Sequence, residues 1–349
     1  MIAGRLNTGK GAVLANALIL LALVAGTHAL AVGVLDWNPA RWMAAWSGDV
    51  VLVAAGLLFL TLAVLLPLHS GFVNLGVHAQ FLAGYSIGAL IVREAVLGPA
   101  AEAGLSLVAG TIAGSAVGVM IAWLRRRFAV HEILSGLTFA ALLTPVARAV
   151  SIDRVAPPAL AIDLPALTEP LRSATDLDLA PTVVLGWGIL LLTVAIALSI
   201  MFAHFLRSSV SGFEVRASGA NPLAATAVGT DVGGLQRSMM AMGGACAGLT
   251  GALQLWTTPA VALERWPFPL GFAGIAIALL GLGSMRGAVF VTLVLAAWLN
   301  TSYAGDVLGV PAYGAGAAAL LLLPVLWVLP RSLPDSGAPR SVWRTRHRD

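Results

Sequence analysis

The chain has 349 residues, of which 59% are hydrophobic and only 10% charged. Soluble domains carry roughly 25% charged residues, so lipid rather than water must solvate most of this surface. A single cysteine, Cys246, excludes an intrachain disulfide. The 20 basic residues outnumber the 16 acidic ones, but they form no basic helix with interleaved aromatic residues. This excess therefore indicates membrane orientation rather than binding of nucleic acid.

Ten apolar runs follow one another along the chain, separated mostly by short polar connections. Each run is long enough, or nearly so, to cross a bilayer as a helix. The sequence thus predicts an all-α, polytopic membrane bundle that forms one domain over residues 1–349. The first run also resembles a secretory signal peptide, which is an alternative for that segment alone. The predicted spans are residues 12–34, 50–68, 72–92, 103–124, 133–151, 182–206, 238–256, 268–283, 288–303 and 312–330.

The basic residues divide unequally between the two sides when these runs alternate across the membrane. With the N-terminus inside, the positive-inside rule is obeyed, so we predict an N-in, C-in topology. This topology leaves an outer loop at 152–181, either a solvated linker or a docking surface, and a basic inner tail at 331–349. Of the 20 basic residues, the six that fall outside are Arg41, Arg93, Arg148, Arg154, Arg172 and Arg265.

The longest inner connection, residues 207–237, carries both charges and a turn signal. Proline suits the first turn of a helix, so Asn221-Pro222 predicts a turn from which a helix starts. Glu214 and Arg216 add charges of both signs. We therefore interpret this connection as a compact surface for a partner on the inner side.

Polar side chains inside the predicted spans are mostly amides and hydroxyls. Asn74, His78 and Gln80 lie among glycines near the entry of the span at 72–92. A helix interrupted by glycine can turn backbone groups towards a cavity. We predict that these residues line a pathway for a neutral, hydrogen-bonding solute. The alternative is that they only bond neighbouring helices.

The second half of the chain offers a similar segment at 268–283, which is marked by proline and rich in glycine. In the predicted topology it runs opposite to the segment at 72–92. Such a pair is expected from an inverted repeat around a central pathway. Phe272 is the residue of this segment that we assign to the predicted pathway.

Catalytic, metal and nucleotide sites are not expected in this sequence. Residues 4–11 imitate a phosphate-binding loop, but no Ser or Thr follows Lys10 and a membrane span comes next. The six histidines show no metal-ligand spacing. The sequence therefore predicts neither a cofactor nor a metal, and no enzymatic activity of its own. The scarcity of ionisable residues within the spans also argues against a proton-driven carrier.

Several stretches between residues 70 and 330 resemble the permease subunits of ABC importers in the branched-chain amino acid, ribose and nucleoside superfamily. Asn74-Leu-Gly-Val-His-Ala-Gln80 is similar to the motif Asn-Ile-Gly-x-Glu-Gly-Gln of the nucleoside or simple-sugar branch. His131-Glu-Ile-Leu-Ser-Gly-Leu-Thr138 is similar to Asn-Glu-Val-Ile-Ser-x-Leu-Met. Arg216-Ala-Ser-Gly-Ala-Asn-Pro-Leu-Ala-Ala225 is similar to the cytoplasmic Arg-Ala-x-Gly-x-Asn-Pro-x-Ala-Ala loop. Residues 243–253 and 271–281 follow in the family's order.

The resemblance implies partners as well as an activity. It implies a second permease subunit, identical or related, two cytoplasmic ATPase subunits, and an extracytoplasmic substrate-binding protein in a bacterial plasma membrane. It also implies inward movement of a nucleoside or simple sugar by alternating access. A permease for branched-chain amino acids remains an alternative, because His78-Ala79 replaces the usual Glu-Gly and Thr138-Phe139 replaces the usual Met-Leu. A carrier without an ATPase is the alternative from another class of transporter. The residues that the resemblance assigns to ATPase coupling are Glu214, Arg216, Gly219, Asn221 and Pro222.

Overall fold

The computed structural model describes residues 39–94, 99–155, 181–257 and, apart from 282, 286 and 294, 270–296. Regular structure within these ranges is entirely helical, as the sequence predicts. The predicted spans 12–34 and 312–330, the tail 331–349 and most of the outer loop 152–181 lie outside the described residues. The number of spans and their orientation therefore stay predictions.

The helices of the described residues are numbered here in chain order. A short 3₁₀ turn, Leu270–Phe272, precedes the last of them. Residues 287–293 are helical again after it. The α-helices are α1 (Pro39–His69), α2 (Val77–Glu94), α3 (Pro99–Phe128), α4 (Glu132–Val155), α5 (Pro181–Ser208), α6 (Val210–Ala220), α7 (Pro222–Ala227), α8 (Val232–Thr257) and α9 (Ala273–Leu280).

Four stretches of the described helices are long and apolar enough to cross a membrane. They differ in how much of their length is covered by the rest of the chain. The stretch in α1 is 78% buried, whereas those in α4 and α5 are each 22% buried. Helix α1 is therefore central, and the apolar outer faces of α4 and α5 remain for lipid or another subunit. The four stretches are Val51–His69, Ala101–Phe128, Glu132–Val150 and Gly188–Ser208.

Helices α2, α3 and α8 pack with their backbones in direct contact. A methyl group added to Gly84 would overlap the carbonyl oxygen of Gly248, and one added to Gly114 would overlap that of Gly244. Small residues spaced along each helix permit this approach, which compensates for the absence of a hydrophobic driving force in lipid. This spacing corresponds to real helix contacts. In the sequence, glycine recurs at helix-packing spacing at residues 84 and 88, at 110, 114 and 118, and at 244 and 248.

Two predicted spans differ from the structure at their ends. The span predicted at 72–92 begins its helix at Val77, because residues 72–76 are not helical. In the span predicted at 268–283, the helix α9 has 8 residues. Such a helix is about 12 Å long at 1.5 Å per residue, well short of a hydrocarbon core of about 30 Å. Neither segment enters the bundle as a continuous helix, which accords with their glycines.

Candidate functional site

The non-helical residues 72–76 bring Asn74 into the interior, where it pairs with Gln80. Asn74 Nδ2 donates to Gln80 Oε1 at 2.8 Å, and Gln80 Nε2 donates back to Asn74 Oδ1 at 3.3 Å. Asn74 Nδ2 also donates to the carbonyl oxygen of Ala63 in α1, at 2.9 Å. Both amide side chains are fully buried. This pair ties the first turn of α2 to the C-terminal part of α1.

Glycine lets this loop lie against the helices that surround it. A methyl group on Gly136 of α4 would stand 2.6 Å from the backbone nitrogen of Gly76, and one on Gly76 would overlap the side chain of Ile121 in α3. Real Cβ atoms do not approach other atoms so closely. The backbone from Gly76 onward is therefore enclosed by α3 and α4.

His78 connects this region with the glycine-rich segment of the second half. Its ring centroid lies 5.3 Å from that of Phe272 and 6.2 Å from that of Phe81. A methyl group on Gly271 would overlap the backbone of His78. The two glycine-interrupted segments that the sequence singled out therefore meet. His78 and Phe272 are both half-buried.

The four residues assigned to the pathway thus divide into two pairs. Asn74 and Gln80 use their amides on each other and on α1, while His78 and Phe272 stay partly exposed at the meeting of the two segments. In this conformation, the amide pair is enclosed, and His78 and Phe272 are the members of the set with exposed surface. Their part in transport remains a prediction.

The connection at residues 207–237, called the inner segment after its predicted side of the membrane, has the turn and the helix that the sequence predicts. Asn221 Oδ1 accepts a hydrogen bond from Ala224 N at 3.1 Å, and Pro222 occupies the first turn of α7. This arrangement is a helix N-cap followed by proline, and it fixes the direction in which α7 leaves α6. Ser209 caps α6 in the same way, since its Oγ accepts from Gly212 N at 2.9 Å.

The exposed surface of α6 and α7 carries both charged and large apolar side chains. Arg216 is exposed and Glu214 is half-buried. Phe213 is 62% exposed and Leu223 is 84% exposed, although both are large apolar residues. The charged residues were predicted from the sequence, whereas these apolar residues were not. Helical spacing could have shown Phe213, which points away from the buried Val215.

A second feature that was not predicted from the sequence lies where α3 ends and α4 begins. Arg125 forms a salt bridge with Glu132, whose side chain is almost fully buried. The guanidinium of Arg125 also lies 4.7 Å from the ring centroid of Phe72. The only signal in the sequence was an acid placed a few residues after three consecutive arginines, 125–127. These contacts fix the start of the loop that holds Asn74.

Four described helical stretches long and apolar enough to cross a membrane are compatible with a transport permease. The family described as "Branched-chain amino acid transport system / permease component" matches residues 43–327. The chain belongs to this family.

Two characterised relatives agree with this assignment. The chain is 30% identical over 266 residues to the guanosine ABC transporter permease protein NupP of Bacillus subtilis, covering 74% of each chain. It is 28% identical over 295 residues to the glucose ABC transporter permease protein TsgB13 of Haloferax volcanii, covering 80% of this chain and 74% of that one. No solved structure gives a significant match.

Proposed function

We propose that this chain is the membrane subunit of an ATP-binding cassette importer that moves a nucleoside or a simple sugar inward across the plasma membrane. Separate ATPase subunits bind the inner segment 207–237 and drive alternating access, and an extracytoplasmic binding protein delivers the solute. A second permease subunit, identical or related, completes the pathway. The observation that carries this proposal is the likeness to one guanosine permease and one glucose permease over most of the chain.

The side chains of the cluster formed by Asn74, His78, Gln80 and Phe272 favour an uncharged solute that forms hydrogen bonds. Asn74 and Gln80 are neutral amides, and Phe272 presents a half-buried ring beside His78, which also stacks on the fully buried Phe81. An aromatic face can stack on a nucleobase or cover the apolar side of a sugar ring. A charged solute would require a counter-charge that none of these five side chains supplies as a permanent ion. Nucleosides and simple sugars therefore suit the cluster better than amino acids.

The inner segment supports separate ATPase subunits. Its exposed surface combines Phe213 and Leu223 with the charge of Arg216. Burying a large apolar side chain contributes about 1.5–3 kcal/mol, so covering both residues supplies part of the free energy that offsets the cost of association. Charged residues around such an apolar centre direct the approach of the partner and fix its orientation.

Reconstitution of this chain with its ATPase and its binding protein tests the proposal. Proteoliposomes are loaded with ATP on the ATPase side and supplied outside with labelled guanosine, glucose or leucine. We expect uptake of guanosine or glucose that needs ATP, the ATPase and the binding protein together. Uptake by the chain alone would identify a secondary carrier, and uptake of leucine alone would place the chain with amino acid permeases.

A further inference from the structure

The turn that ends α1 joins the inner segment to the amide pair. Gly71 N donates to the carbonyl oxygen of Leu68 at 3.0 Å, and Phe72 N donates to that of Pro67 at 3.1 Å. Gly71 has a φ of +77°. These features define a Schellman motif, in which a glycine in the left-handed region closes the last turn of a helix. The chain leaves this turn directly into the loop that carries Asn74.

Helix α6 touches this turn through the backbone at Gly219 and Gly71. A methyl group on Gly219 would overlap the carbonyl oxygen of His69. A methyl group on Gly71 would stand 3.1 Å from Gly219 Cα. No flexible side chain lies between the two segments here, so a displacement of α6 cannot be absorbed by a change of rotamer.

The carbonyl oxygen of Ser70 holds the same turn to α8. Gln236 Nε2 donates to it at 3.2 Å, and Ser218 Oγ approaches it to 3.4 Å. The hydroxyl of Ser218 has one hydrogen, and the carbonyl oxygen of Val215 is closer to it, at 2.8 Å. Gln236 is therefore the main donor to Ser70.

The loop that follows the turn is held just as firmly. Phe72 is buried under the guanidinium of Arg125. Asn74 is bonded to α1 through Ala63 and to α2 through Gln80. Movement at Ser70 and Gly71 thus has a short, well-bonded route to the pair. Energetic coupling between two sites travels through direct backbone contacts and hydrogen bonds of this kind.

We propose that the Ser70–Gly71 turn is the positioning element through which movement of the inner segment reaches the Asn74–Gln80 pair, with Gln236 and Gly219 holding it. Neither Gln236 nor Gly219 needs to touch the solute for this role. The inference rests on the proposed function, because it assumes that an ATPase moves the inner segment. It adds a defined route between that segment and the pathway.

Gln236→Met tests the bond to Ser70, because methionine keeps the length of the side chain and removes the donor. In the reconstituted complex we expect ATPase association and basal ATP hydrolysis to stay within twofold of the unchanged protein. Solute moved per ATP hydrolysed should fall about fivefold, the factor for losing one neutral hydrogen bond. Gln236→Lys, which retains a donor, should recover at least half of that ratio. Ser238→Ala is the control, since Ser238 is exposed and bonds only within α8.

Gly219→Ala and Gly71→Ala test the backbone contact, each against a matched glycine. Gly104 is helical like Gly219, and Gly283 has a positive φ like Gly71, but neither has an atom within 4 Å of an added methyl group. We expect Gly219→Ala and Gly71→Ala to lower solute moved per ATP at least fivefold. Gly104→Ala and Gly283→Ala should change it less than twofold.

The outcomes separate the inference from the proposed function. An unchanged ratio in Gln236→Met and Gly219→Ala would overturn the inference while ATP-dependent uptake still stands. Failure of all these variants to form the complex, with their controls normal, would also overturn it, since the contacts would then serve packing alone. Uptake by the unchanged protein without ATP would overturn the proposed function itself.

Discussion

The loop around Asn74 and the inner segment of α6 and α7 differ in where their side chains find partners. Asn74 and Gln80 are fully buried, and each finds its hydrogen-bond partners within the chain. Phe213 and Leu223 are apolar, yet most of their surface is exposed. In the first region, the polar side chains have their hydrogen-bond partners within this chain. In the second region, the apolar side chains leave a surface that a partner can cover.

This difference predicts which substitutions affect the stability of the isolated permease and which affect its assembly with partners. Changes in the loop should be felt within the isolated permease, since a buried amide without its partner is costly. Changes on the surface of α6 and α7 should leave the isolated permease intact and weaken its complexes. The outcome of each substitution therefore shows whether its residue serves the stability of the permease or the binding of a partner.

The largest effect is expected at the amide pair. Asn74→Leu leaves Gln80 and the carbonyl oxygen of Ala63 without a partner, which costs about 1–3 kcal/mol for each group. The variant should lose thermal stability and uptake together. The double variant Asn74→Leu with Gln80→Leu should recover much of the stability, because an apolar pair leaves only one carbonyl unsatisfied. Its uptake should stay below about a tenth of normal if the pair shapes the pathway.

Thermal unfolding in detergent and uptake in proteoliposomes separate these effects. Thr61→Val is a control in which a buried hydroxyl that bonds only within α1 is removed. Normal uptake by the double variant would show that Asn74 and Gln80 are packing residues and would remove them from the predicted pathway.

A smaller effect is expected when the turn between α6 and α7 is loosened. Asn221→Gly with Pro222→Gly removes the cap and the fixed φ of proline, so α7 can change its direction relative to α6. We expect the ATPase to remain bound, while its hydrolysis no longer responds to loaded binding protein and uptake falls about tenfold. Ala227→Gly, at the exposed end of α7, controls for added flexibility. Normal stimulation in the double variant would exclude a role for the turn in coupling.

The apolar surface should contribute less per residue than the turn. Leu223→Ser removes a side chain that is 84% exposed, so the stability of the isolated permease should not change. If the ATPase covers Leu223, its affinity should fall about tenfold, as expected for about 1.5 kcal/mol of apolar burial. Ala220→Ser is an exposed control that removes little apolar area. Titration of ATPase against permease in nanodiscs measures both, and equal affinities would place Leu223 outside the interface.

Local patterns in the sequence predicted those parts of the structure that depend on near neighbours. The cap at Asn221 and the helix after Pro222 follow from two adjacent residues. The glycine contacts of α2, α3 and α8 follow from spacing along each helix.

Long-range contacts were beyond the sequence. Nothing in one sequence shows that Gln236 reaches Ser70, which lies 166 positions earlier. The buried pair of Asn74 and Gln80 was equally hidden, because amides that line a cavity and amides that bond each other have the same local pattern. Only the packing of whole helices decides between these possibilities.

The smallest effect is expected from the charges of the inner segment. Arg216 is exposed and Glu214 is half-buried, so ion pairs with an ATPase would be largely solvated. Such pairs contribute about 0–1 kcal/mol each, and salt weakens them further. The double variant Glu214→Arg with Arg216→Glu should therefore reduce ATPase affinity about fivefold at low salt. The difference should nearly disappear at about 0.5 M salt, whereas the loss in Leu223→Ser should persist. A salt-independent loss would mean that the reversed charges disturb α6 itself, and no loss at any salt would exclude both residues from the docking surface.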